Sequence, residues 1–257
     1  MILQNGISYR HGINRSKPGM VAELHCHNGM ELIYVCSGTM AHVIEGRRYL
    51  VKPGDLMVVH PSTYHYLEQL SDEPYERYVI IFDPQEHSID VSGIPRDLEV
   101  VSLKSGSIAA ELFQKMDYYC NRLDEKTFSM LLCQLLGELF INLRLDTGER
   151  KGEDGSLYPV LAEALAYINE HLFTITGVEE VADALYISPS YLYRLFREAL
   201  HRSPKRYIRD KRLLAAQRRI RRGMSPTVAC KECGFKEYAT FFRSYQAFFG
   251  HAPSQDR

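Results

Sequence analysis

The chain has 257 residues, 45% of them hydrophobic and a quarter charged, which is enough for two domains of ordinary size, each with its own core. No apolar run approaches 18 residues, and the N-terminus lacks a basic region followed by an apolar stretch. A membrane span and a signal peptide are therefore not expected, and the expected location is the cytoplasm. The net charge of −1 is unevenly spread: residues 157–257 hold 16 Lys and Arg against 10 Asp and Glu, a balance of +6, whereas residues 1–156 hold 15 against 22, a balance of −7. A basic second half points to nucleic acid as its partner. The cysteines at 26, 36, 120, 133, 230 and 233 show no disulfide framework and read as reduced thiols.

Residues 19–82 alternate short apolar runs (ELIYVCSG, MAHVIEG, RRYLVKPG, DLMVVHP, YERYVIIF) with turns closed by Gly or Pro. β-Branched and aromatic enrichment with this punctuation predicts the strands of a sandwich or barrel. Within the segment, Gly19, His25, His27, Glu31 and Gly38 fall at spacings that resemble the first motif of the cupin family, and Pro53, Gly54, Asp55, Pro61 and His65 resemble the second. The resemblance implies a jelly-roll barrel over roughly the first ninety residues and offers His25, His27, Glu31 and His65 as ligands for a divalent metal. Two imidazoles on alternate positions of a strand share a face, and imidazoles with a carboxylate suit zinc, iron, nickel or manganese. The spacing from Pro61 to His65 is one residue shorter than the family's, which makes His60 an alternative to His65. The same residues can instead be structural or contact an effector, so no cofactor is required by the sequence. Barrel lumens hold small ligands, and Tyr9, Arg10, His25, His27, Glu31, Tyr64 and His65 are able to hydrogen-bond to and stack on a sugar.

Two helical segments follow. Ile108, Leu112, Met116 and Tyr119 mark the first; Phe128, Leu131, Leu132, Leu135, Leu136, Leu139 and Leu143 mark a second, more apolar one. So broad a stripe buries more than one side, covering the barrel on one flank and, on the other, either more of the same chain or a second copy. Residues 146–156, DTGERKGEDGS, are polar and Gly-rich and read as a flexible linker.

Helical periodicity resumes at Leu161, Leu165 and Ile168. Thr176 with Glu179 forms a capping-box pattern ahead of Val178, Val181, Ala182 and Leu185. After a short turn at Tyr186 and Ile187, Ser188 and Pro189 open a second helix with Leu192, Leu195, Phe196 and Leu200 on its buried side. Ser190, Tyr191, Tyr193, Arg194 and Arg197 are left on the other. This is a helix-turn-helix layout, and it recurs: Leu192, Arg194, Phe196 and Pro204 are matched 49 positions on by Phe241, Arg243, Tyr245 and Pro253. The second unit starts at Ser225 and Pro226, turns at Gly234, and has its reading helix from Lys236 to Phe249. Residues 205–222 join the units as one Arg-rich helix. Cys230 and Cys233 form a C-x-x-C with no second pair, and read as core rather than as a zinc site.

The pattern I-S-P-S-Y-L-Y-R-L-F, then S-P-x-x-Y-I-x-x-x-R-L-x-x-A, then A-C-K-E-C-G-F-K-E-Y-A-T-F-F-R-S-Y, resembles the AraC family of bacterial transcription regulators over roughly the last hundred residues. The resemblance implies that both second helices enter neighbouring major grooves, with Ser190, Tyr193 and Arg194 reading from the first and Tyr238, Ala239, Thr240 and Arg243 from the second. Lys205, Arg206, Arg209 and Arg212 of the joining helix are expected to meet phosphates. Two positions depart from the family: His201 stands where a Gly is usual, and Asp256 where an aromatic is usual, which predicts a weakly anchored last turn.

The expected architecture is therefore an α+β multidomain chain: a cupin-like effector barrel (1–104), dimerisation helices (105–145), a linker (146–156) and an all-α DNA-binding domain (157–257) with helix-turn-helix units at about 176–200 and 225–249. The resemblance implies a homodimeric regulator, not an enzyme, that binds double-stranded DNA and answers to a small molecule, a sugar first among them, controlling carbohydrate genes. The competing readings are a metal-dependent cupin enzyme, such as a sugar isomerase or dioxygenase, tethered to DNA, and a constitutive DNA-binding protein whose barrel only dimerises.

Overall fold

The structure, a computed structural model, describes residues 3, 6–15, 17–92, 94–95, 98–145, 149–150 and 158–256, with Glu149 and Arg150 described as backbone only. The chain divides into two compact units, residues 1–156 and 157–257.

The first unit contains strands β1 (Ser8–Asn14), β2 (Met30–Ser37), β3 (Met40–Ile44), β4 (Arg47–Val51), β5 (Asp55–Val59), β6 (His65–Gln69), β7 (Tyr75–Phe82) and β8 (Val100–Ser102). Helices α1 (Ile108–Cys120) and α2 (Glu125–Leu145) and a two-residue strand β9 (Glu149–Arg150) complete it. One antiparallel sheet runs β1-β7-β2-β5-β8-β9 and the other β4-β3-β6. The linker predicted at 146–156 lies outside the described residues, except that Glu149–Arg150 extends the larger sheet beside β8.

Alternation along the strands gives the larger sheet two apolar faces. Leu32, Leu56, Val58, Tyr78, Ile80 and Phe82 turn towards Phe113 and Met116 of α1 and Phe128, Leu132, Leu136 and Phe140 of α2. Ile33, Val35, Met57 and Tyr75 turn the other way, into the lumen, where Met40, Ile44, Tyr49 and Val51 of the smaller sheet meet them. The predicted barrel is thus a two-sheet sandwich with helices over one outer face. Contrary to the sequence expectation, α2 is long and apolar enough by length and composition to cross a membrane. Its Phe128, Leu132, Leu135, Leu136, Leu139, Phe140 and Leu143 are nonetheless buried in the core of this unit, while Met130, Ile141 and Leu145 are exposed.

The second unit is helical: α3 (Pro159–Glu170), α4 (Val178–Ala184), α5 (Pro189–Leu200), α6 (Pro204–Arg221), α7 (Pro226–Glu232), α8 (Tyr238–Phe249) and a closing 3₁₀ turn at Pro253–Asp256. Three helices start on the same Ser-Pro device: Ser188, Ser203 and Ser225 accept from the N–H groups of Tyr191, Arg206 and Val228, and a Pro follows each where its missing donor costs nothing. The capping box falls one residue from the predicted place: Gly177 is the N-cap, and Glu180, not Glu179, takes the N–H and hydroxyl of Thr176 at 2.9 and 2.8 Å. The second reading helix begins at Tyr238, two residues later than predicted, because Glu237 still has extended backbone. His201 ends α5 in the left-handed region at φ 46°, the conformation Gly250 adopts with φ 78° at the end of α8. The closing turn is not weakly anchored. Asp256 accepts from Tyr245, Gln217 and Arg221.

Candidate functional site

On α5 the apolar stripe of Leu192, Leu195, Phe196, Ala199 and Leu200 is buried, which fixes the opposite face outward. Ser190, Tyr193, Arg194 and Arg197 are all exposed there, and the Arg194 guanidinium lies 5.0 Å over the ring of Tyr191. On α8, buried Phe241 and Tyr245 do the same for exposed Tyr238, Ala239, Thr240 and Arg243. Each reading helix thus presents an arginine and a tyrosine to solvent from a rigid, packed base.

The residues of α6 divide. Lys205, Arg206 and Arg209 are exposed, and the last two flank buried Asp210, Arg209 at 2.9 Å and Arg206 at 3.6 Å. Arg212 is not a phosphate contact. Its guanidinium donates to three peptide carbonyls, Leu172 at 2.7 Å, Ile175 at 2.6 Å and Gly234 at 3.0 Å. The sequence misassigned it because α6 runs through the core, with Tyr207, Ile208, Leu213, Leu214, Ala216, Gln217 and Ile220 buried, so its arginines cannot all share one solvated face. Cys230 and Cys233 are buried with Phe241 and Tyr245, and burial pushes the Cys233 thiol up to about 11. They are core.

In the first unit, a backbone bridge pairs His25 with His65. His27 precedes β2, and Glu31 is the second residue of that strand. The ligand atoms of His25, His27, Glu31 and His65 lie within 4.8 Å of one another. His27 Nε2 is 3.0 Å and His65 Nε2 2.8 Å from Glu31 Oε2. The shortened spacing therefore does not divert His65, and His60 is not among the converging residues.

The three imidazoles are aimed in the same way. His25 Nδ1 lies 2.9 Å from the Glu23 carbonyl, His27 Nδ1 3.0 Å from that of Gly29, and His65 Nδ1 3.0 Å from that of Thr63. A carbonyl only accepts, so Nδ1 carries the hydrogen and Nε2 is the coordinating atom. Buried His65 Nε2 meets Glu31 at ion-pair distance but off the angles of a well-formed hydrogen bond. Burial pushes the Glu31 carboxyl up, but the imidazoles of His27 and His65 outweigh it and hold the group well below the usual carboxylate range. Burial, then His65, lowers His25 and favours its neutral form. Three neutral-capable imidazoles and an ionised carboxylate fit a divalent cation.

The other predicted effector residues scatter. Tyr9 is a correction: its ring packs edge-on to Phe128 at 5.3 Å and its hydroxyl faces Asp117 at 3.4 Å, between the sheet and the helices rather than in the lumen. Strand alternation puts it there. Arg10 is exposed on β1, and Tyr64 is buried just before β6. The sequence reading missed His42. It is fully buried, its ring centre is 6.0 Å from that of His65, and neither ring nitrogen has a partner. Burial, then His65, drives its pKa down to about 3. Its place between Met40 and Ile44 on an alternating strand was the available signal.

Two family models match the chain: an AraC-like ligand binding domain over residues 11–167 and a helix-turn-helix domain over residues 181–257. The HTH-type transcriptional activator RhaS of Escherichia fergusonii is 22% identical over 242 residues, 91% of this chain and 86% of RhaS. The raffinose operon transcriptional regulatory protein RafR of Pediococcus pentosaceus is 21% identical over 215 residues, 81% of this chain and 76% of RafR. Among solved structures, apo ToxT of Vibrio cholerae aligns over 96% of both chains with 11% identity and a TM-score of 0.44. With a ligand-binding model over more than half its length and a helix-turn-helix model over the two reading helices, the chain belongs to the AraC family of DNA-binding transcription regulators.

Proposed function

We propose that the chain is a cytoplasmic, homodimeric regulator in which a divalent metal held by His25, His27, Glu31 and His65, together with a small sugar-like effector in the lumen beside it, controls binding to promoter DNA. The observation that carries the reading is the convergence of three carbonyl-aimed imidazoles on one ionised carboxylate. A resident metal would supply open coordination positions for the oxygen donors of a polyol, while His42 stands on the buried side with two hydrogen-bonding atoms to offer. A sugar is favoured because RafR is named for a raffinose operon. Dimerisation is supported by the exposed apolar residues of α1 and α2: Ile108, Tyr118, Met130, Ile141 and Leu145.

The test is thermal melting of the purified protein against divalent metals, monosaccharides, disaccharides and sugar acids, each with and without chelator. A ligand at a hundred times its Kd raises stability by about 2.7 kcal/mol. A sugar shift abolished by chelator is the expected result; no shift with any metal overturns the metal part, and no shift with any sugar overturns the effector part. The quartet also suits a metal-dependent cupin enzyme. Turnover of a sugar that shifts the melt would move the assignment there.

A further inference from the structure

Of the three carbonyls that Arg212 binds, two lie in the segment that leads into the first helix-turn-helix unit and one lies inside the second. Leu172 and Ile175 lie in the loop that leads from α3 into α4, the support of α5. Gly234 lies in the turn between α7 and α8. Leu172 follows the C-terminus of α3 and Gly234 that of α7, where the helix dipoles place partial negative charge, so a guanidinium is well matched to both. Two helical turns further along α6, Arg219 repeats the arrangement: its guanidinium lies 4.7 Å over the Phe173 ring while Nη1 reaches Glu232 at 3.3 Å and Cys233 Sγ at 3.4 Å. The two loops also touch directly. A Cβ added to Gly234 would stand 2.6 Å from the Phe173 carbonyl oxygen, too close for any side chain.

We propose that Arg212, with Arg219 below it, is a positioning residue that fixes the separation of α5 and α8, so that DNA binding demands a single spacing between the sequences the two helices read. A guanidinium with three donor nitrogens in a rigid plane can hold two loops at once; a lysine ammonium is a point charge on a flexible stem and cannot set the same angle. Arg212 acts through the two loops and makes no DNA contact. The inference rests on the DNA-binding assignment alone and is independent of metal or effector.

The experiment selects a bound sequence from a random DNA pool with the full chain, then measures affinity on duplexes with base pairs inserted or removed between the two read blocks. For the parent, one inserted base pair is expected to weaken binding about tenfold or more, since only one unit can then seat while the other loses its local concentration. In Arg212→Gln the penalty for insertion should shrink towards one, with affinity for the original duplex also reduced. Gly234→Ala, whose Cβ would wedge against the Phe173 carbonyl oxygen at 2.6 Å and push on the Arg212 guanidinium at 2.9 Å, disturbs the same junction from the loop side and should flatten the profile in the same way. Arg243→Ala, a reading-face control, should weaken binding at every spacing and keep the penalty. If Arg212→Gln fails to fold, Arg219→Ala carries the test, since it removes only the lower contacts. Folded variants at 212, 219 and 234 that keep the parental spacing profile overturn the proposal, as does a parent indifferent to insertion.

Discussion

The hydroxyl of Tyr245 donates to the carboxylate of Asp256 at 2.5 Å, joining α8 to the last turn of the chain. Gln217 and Arg221 of α6 donate to the same carboxylate at 3.0 and 2.9 Å. Burial pushes Asp256 up, but the bonds from Tyr245, Gln217 and Arg221 outweigh it and hold the group below the usual carboxylate range. A depressed folded value means that its stabilisation is full above the unfolded value, about 3.9, and is lost as pH falls through the folded one. Asp256→Ala should cost about 1–3 kcal/mol, chiefly from the donors left unpaired. Melting curves from pH 6 to pH 3 provide the check: Asp256→Asn should lose stability less steeply with acid than the parent.

The reading-face arginines separate from the phosphate contacts by what each does to salt dependence. Arg194→Ala or Arg243→Ala should cost about 1–3 kcal/mol and relax preference at one base position. Arg206→Ala and Arg209→Ala should weaken all sequences alike and lower the salt slope by about one each. Arg212→Gln should leave the salt slope unchanged. Titrations of labelled duplex from 50 to 300 mM salt distinguish these outcomes.

Metal binding at the quartet should compete with protons for the imidazoles, so affinity should be weaker at acidic than at neutral pH. Glu31→Gln should weaken metal binding strongly by removing the anionic ligand, and His65→Ala should do likewise. Calorimetric titration of zinc into chelator-treated protein at pH 7.5 and pH 5.5 checks this; equal affinity at both values would point away from the imidazoles.

Among the described residues of the second unit, two non-glycine side chains stand in a backbone region that suits glycine. His201 has φ 46° and Tyr186, in the turn of the first unit, φ 56° with 97% of its surface exposed. Replacing Tyr186 with Gly relieves about 1–2 kcal/mol of left-handed strain and loses almost no packing. Chemical denaturation should show Tyr186→Gly more stable than the parent, and His201→Gly likewise.

The helix-turn-helix pair was legible because its signals are local. Ser-Pro starts, apolar spacing and a repeat of 49 residues all act within one helix or between copies of one. The convergence of His25, His27, Glu31 and His65 was legible for a similar reason, since three of the four lie within seven residues and only His65 had to be brought in by strand pairing. What stayed hidden depends on contacts distant in sequence. Arg212 meets carbonyls 40, 37 and 22 residues away, and carbonyls carry no sequence signature. Tyr9 was assigned to the lumen because the face a strand turns inward is set by its partner, here the pairing of Tyr9 with Ile80. Asp256 looked like a lost anchor because its new partners sit on two other helices.

The carbonyl bonds that aim His25, His27 and His65 come from Glu23, Gly29 and Thr63, each two residues from its imidazole. Peptide groups are present whatever the side chain, so replacements at 23 or 63 that keep the backbone path leave the imidazoles oriented, whereas a Cβ at Gly29 would stand 2.6 Å from Ile81 Cγ2. The side chains at 23 and 63 are thus open to evolutionary drift, and descendants of this chain could vary them while inheriting the same three imidazole orientations unaltered.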